Sequence, residues 1–86
     1  MSWAKTLDRV LRGTSDTSIR FDELCQVLTR LGFAKWVRGD HHIFTRGGVE
    51  EILNLQPRGP LAKAYQVKQV RDAIVRYRLA GSDDAE

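Results

Sequence analysis

Two adjacent histidines, His41 and His42, are the only imidazoles in the chain and the residues best suited to proton transfer near neutral pH. An imidazole with an ordinary pKa of about 6.5 is partly neutral under physiological conditions, so it can act as a general base. Both follow the turn dipeptide Gly39-Asp40 and open a short extended run ending at Arg46. Neighbours on a strand point to opposite faces, so the two rings cannot share a task. Phe44 is the large apolar residue of the run and belongs in the core. That places His42 on the buried side, and His41 with Ile43 and Thr45 on the other. His41 is the exposed candidate for a catalytic base. No shared metal site is expected, because opposed side chains cannot chelate one ion and Cys25 is the only cysteine. The plainer alternative is structural: one imidazole packed, the other solvated.

The elements that must hold this pair are legible from periodicity. Trp3, Leu7, Val10 and Leu11 fit one stripe of a short helix over Trp3 to Arg12, ended by Gly13. Thr14 to Ser18 is small, polar and aperiodic, and reads as a linker. Phe21, Leu24, Cys25, Leu28 and Leu31 recur at helical spacing, with Asp22 and Glu23 in the first turn and Gly32 as the stop. Cys25 falls on that apolar stripe and reads as a small core residue. Three extended runs follow, Phe33 to Arg38, His41 to Arg46 and Val49 to Gln56, joined by Gly39-Asp40 and Gly47-Gly48. These are the connections of an antiparallel meander. In the third run Leu53 and Leu55 share a face with Glu51, while Ile52 and Asn54 point the other way. Gln56 to Pro60 breaks the strand, and from Tyr65 the positions Val67, Val70, Ala73, Ile74 and Tyr77 resume the helical period. The fold class is thus α+β, an α-β-β-β-α order with both helices on one face of a three-stranded antiparallel sheet, plus a short extra N-terminal helix. The other face is left open, as antiparallel sheets allow.

A chain of 86 residues has room for one thin-cored domain and little spare protein for an elaborate site. No apolar run approaches the roughly 20 residues that span a bilayer, and Lys5, Asp8 and Arg9 interrupt the N-terminal stretch. A single cysteine excludes an internal disulfide. These features point to the cytoplasm, with no membrane partner. The net charge of +3 is unevenly spread: Arg58 to Arg78 holds six basic residues against one acidic, and Asp83, Asp84 and Glu86 then subtract three. Such a basic segment suits an anionic polymer, and equally a solvated helix face.

The run Gly39-Asp40-His41-His42-Ile43-Phe44, preceded by Leu31-Gly32-Phe33 and followed by Leu53-Asn54-Leu55-Gln56-Pro57, resembles the HicA toxins of bacterial toxin-antitoxin pairs. The similarity covers about Phe21 to Leu79. Its most specific part is the string of glycine, small residue, His-His, any residue and aromatic between the first two strands. The resemblance implies a messenger-RNA endoribonuclease with a fold like that of double-stranded-RNA-binding domains, His41 as the catalytic histidine, and a HicB-like antitoxin as partner. It divides the chain into residues 1–18, an appended helix and linker, residues 19–80, the HicA-like domain, and residues 81–86, an acidic tail expected to be disordered. Two positions depart from the family pattern. Asp40 stands where serine or threonine is typical, a charge that favours a protonated neighbour and repels phosphate. Leu55-Gln56-Pro57 stands where a Pro-His-Pro-like sequence is common.

The chemistry is coherent on its own terms. RNA carries its nucleophile, the 2'-hydroxyl, so one base and a few cations suffice, without metal or organic cofactor. The candidate phosphate-binding cations are Lys35 and Arg38 on the first strand and Lys63, Lys68 and Arg71 from the loop and last helix. Trp36 offers a face for a splayed base, or else serves core or partner contact. The alternatives are a non-catalytic RNA-binding module gripping duplex backbone through its basic helix, and a protein-interaction domain docking through Trp3, Leu7 and Val10.

Overall fold

The protein is described here by a computed structural model covering residues 2–81. The elements run α1 (Trp3–Arg12), a 3-10 turn (Asp16–Ser18), α2 (Phe21–Arg30), β1 (Ala34–Arg38), β2 (His41–Arg46), β3 (Val49–Leu55) and α3 (Ala64–Arg76). The strands form one antiparallel sheet in the order β1-β2-β3. This is the α+β arrangement expected, with an extra N-terminal helix. The acidic residues of the tail lie outside the described residues. No helix among the described residues is long and apolar enough to cross a membrane.

Local chemistry accounts for the element boundaries. Ser2 caps α1, its Oγ accepting from the Lys5 amide at 3.3 Å, and Gly13 ends the helix in the left-handed region at φ 72°. Asp22 and Glu23 sit in the first turn of α2. Beyond its last residue, Arg46 Nε donates to the Leu31 carbonyl at 2.9 Å and satisfies a group the helix leaves unpaired. Gly39 takes φ 64° at the first position of the β1–β2 turn, the backbone a tight two-residue hairpin needs.

The core lies between the sheet and the helices. Phe44, Leu53 and Leu55 project from the sheet onto Ile19, Leu24, Val27 and Leu28 from the α2 side and Val67, Val70 and Ile74 from α3. The first helix belongs to the same core. Val10 is fully buried, and Trp3 and Leu7 pack against the cluster, so α1 leans on α2 and α3. Its buried stripe differs from the sequence expectation in one position: Thr6 is buried where Leu11 was expected, and Leu11 is exposed.

The segment read as a linker is also tied down. Asp16 receives two hydrogen bonds from Arg71, at 2.9 and 3.1 Å, and Arg9 donates to the Ser18 hydroxyl at 3.0 Å and to its carbonyl at 3.3 Å. The stretch before α2 is further stitched to the loop before α3. The Phe21 amide donates to the Pro60 carbonyl at 3.0 Å, and Ala62 donates to Ile19 at 2.9 Å.

Candidate active site on the open sheet face

Register decides what surrounds the histidines. Paired residues in an antiparallel sheet share a face, and β1 and β2 pair Arg38 with His41, Val37 with His42, Trp36 with Ile43 and Lys35 with Phe44. Between β2 and β3, His42 pairs with Leu55, Ile43 with Asn54 and Phe44 with Leu53. The helix-facing side therefore carries Lys35, Val37, His42, Phe44, Leu53 and Leu55. The open side carries Trp36, Arg38, His41, Ile43 and Asn54.

His41 is exposed at the start of β2, as the sequence reading expects. Its ring is not free to spin, because Nδ1 lies 3.0 Å from Asn54 Oδ1. An amide oxygen only accepts, so in the neutral ring Nδ1 carries the hydrogen and Nε2 keeps the lone pair. That is the tautomer and the restraint a general base requires. Asn54 is in turn anchored through its backbone. Gln66, buried at the start of α3, accepts from the Gln56 amide at 3.1 Å and reaches the Asn54 carbonyl at 3.5 Å.

The turn carboxylate is occupied. Asp40 accepts from Gln56 Nε2 at 2.8 Å, and Gln56 Oε1 accepts from Lys63 Nζ at 3.4 Å. The Gln56 hydrogen bond, more than the neighbouring His41 and Lys63, holds the Asp40 carboxyl below its usual range. Gln56 thus holds the Asp40 carboxylate in its ionised form next to His41.

Of the five cations expected to bind phosphate, two gather with His41. Arg38 is its cross-strand partner on the same face, and Lys63 joins the Gln56 and Asp40 cluster at the same end of the sheet. The other three do not. Lys35 lies on the helix-facing side, lining with His42, Phe21, Cys25 and Thr29 a cleft of about 320 Å³. Lys68 is exposed on α3 and pairs with Asp72 at 3.2 Å. Arg71 departs furthest from the expectation. Its side chain is only 18% exposed and is spent on Asp16 and, at 3.1 Å, on the Val10 carbonyl.

His42 has a structural position. Its ring meets Phe21 edge-on at 4.8 Å between centroids, and its Nδ1 is buried with no hydrogen-bond partner among the described residues. Burial first, then the nearby Lys35 charge, lowers its pKa below the ordinary value, against a smaller opposing pull from Asp40. Burial likewise pushes the Cys25 thiol up to about 11, which makes it a packed apolar residue rather than a nucleophile.

The depressed His42 value links protonation to stability. As pH falls, the unfolded chain binds this proton before the folded one. The contribution is fully present above the unfolded pKa of about 6.5 and is lost as pH drops towards the folded value. Lowering the solution from about pH 7.5 to about pH 5.5 should therefore lower the urea midpoint, and His42→Leu should remove part of that drop. Equal drops in both proteins would assign the effect elsewhere.

Asn54 and Gln66 were not among the sequence-derived site residues. Parity already put Asn54 on the face of His41, but which residue it opposes depends on an irregularity between Phe44 and Arg46. A regular hairpin continued from the Arg46–Val49 pair would set His41 directly opposite Asn54. In the observed register Asn54 faces Ile43, and the imidazole reaches it diagonally. Gln66 carried a signal in its spacing, four residues before Val70 and seven before Ala73 on the buried stripe.

No protein-family model matches the chain, and no significant match was found among curated proteins or solved structures.

Proposed function

We propose that the protein is a metal-independent endoribonuclease of the HicA-like messenger-RNA interferase kind, acting in the cytoplasm as the toxin of a toxin-antitoxin pair. The observation that supports this reading best is the exposed His41 ring held through Nδ1 by Asn54, with Arg38 beside it. In the reaction, His41 Nε2 takes the proton of a ribose 2'-hydroxyl. The 2'-oxygen bonds to the adjacent phosphorus, and the P–O5' bond breaks. The leaving oxygen takes a proton from water. Arg38 and Lys63 stabilise the charge that gathers on the phosphate oxygens.

The products are a 2',3'-cyclic phosphate and a 5'-hydroxyl. Incubating the purified protein with RNA in excess EDTA should yield fragments carrying those ends. Cleavage that stops in EDTA and leaves 5'-phosphates would overturn the proposal.

A HicB-like antitoxin covering the open face is the partner this reading carries, since burying that face would exclude RNA from His41. The alternative of a duplex-gripping basic helix is weakened by the pairing of Lys68 with Asp72 and of Arg71 with Asp16.

A further inference from the structure

The chain has two tryptophans, and they have opposite environments. Trp3 packs against the core from α1, with the Arg30 guanidinium 5.8 Å from its ring centroid. Trp36 is 51% exposed on the edge strand β1, which is exposed along its whole length. An indole left half in water at a position where it stabilises no core is available for another partner.

Its neighbours indicate which partner. On the open face, residues form rows across the strands. One row holds Arg38 and His41, and the next holds Trp36, Ile43 and Asn54. Rows on one face are two residues apart, about 7 Å along the strand, a separation comparable to one extended nucleotide. A phosphate held at Arg38, with its ribose beside His41, would bring an adjoining base over the Trp36 row. The cations at this end, Arg38 and Lys63, complement a polyanion and outnumber the one acidic group of the turn, Asp40, which accepts a hydrogen bond from Gln56. A base within a duplex has both faces covered by its neighbours, so only an unpaired base can lie on an indole.

We propose that Trp36 is the platform for the base adjoining the cleaved bond, which makes the enzyme select unpaired RNA at that position. The inference rests on the nuclease reading for its placement, and it is tested separately from catalysis. In a chain carrying Trp3→Phe and His41→Ala, Trp36 is the only indole and RNA is not consumed. Titration with a single-stranded RNA of about ten nucleotides should quench its fluorescence, and the same strand annealed to its complement should quench it far less. Replacing Trp36 by alanine should weaken binding of the single strand about 10- to 100-fold, with Trp36→Tyr recovering most of the loss.

Cleavage by the wild-type chain without quenching would overturn the platform and leave the nuclease intact. Quenching without cleavage by the wild-type chain would sustain the platform and remove the nuclease. Fluorescence unmoved by saturating RNA but responsive to protein concentration would identify the face as a contact between copies of the chain, and would also overturn the proposal.

Discussion

His41→Ala should reduce RNA cleavage by at least ~10²- to 10⁴-fold, the contribution of a positioned general base, while leaving the thermal midpoint unchanged. The second half of that expectation follows from exposure: the ring covers no core residue, and its one side-chain hydrogen bond is at the surface. Asn54 separates positioning from mere presence. Asn54→Ala removes the acceptor at Nδ1, so the ring can rotate and take the other tautomer; a loss of about 10- to 100-fold is expected by analogy with other residues that orient a catalytic imidazole. Asn54→Asp keeps an acceptor at the same place and should recover most of that loss. A His41→Ala chain that cleaves at the wild-type rate would end the catalytic assignment. Equal losses in Asn54→Ala and Asn54→Asp would reduce Asn54 to a packing residue.

The second large effect concerns stability. Arg71→Met should cost about 2–3 kcal/mol, below the figure for a fully buried pair because both side chains keep some contact with water. Exposures of 18% for Arg71 and 22% for Asp16 set that discount. On a domain of this size such a loss lowers the thermal midpoint by about 10–20 °C. The guanidinium ties together segments that are 55 residues apart in sequence. It bridges Asp16 and the Val10 carbonyl from α3 and sits close enough to Gly13 that a Cβ there would meet it at 3.3 Å. Asp16→Asn combined with Arg71→Met should be less damaging than the two losses added, because neither charge is then left without its partner. The exposed Lys68–Asp72 pair provides the contrast, since Lys68→Ala should change stability by no more than about 0.5 kcal/mol. An Arg71→Met protein of unchanged midpoint and weakened RNA binding would return Arg71 to the phosphate-binding set.

These two residues mark how far local pattern reaches. His41 was legible because strand parity is a rule of period two, and one bulky apolar neighbour, Phe44, orients the whole run. The three helices and three strands were legible for the same reason, since their periods repeat within a few residues and glycines punctuate them. Arg71 was misread because an arginine on a basic helix looks the same whether it faces solvent or a carboxylate brought from elsewhere in the chain. Thr6 was missed because its small polar side chain gives no apolar signal, yet tertiary contact buries it.

What the sequence alone determined was therefore the order of elements, the two-sidedness of the sheet and the side on which each histidine lies, all products of short-range periodicity. What only the tertiary structure decided was the company each of those side chains keeps. The Asn54 restraint on His41, the hydrogen bond from Gln56 to Asp40 and the loss of Arg71 to Asp16 depend on strand register and on the docking of α1 and α3. Those are set by long-range fit among surfaces, which no local repeat encodes.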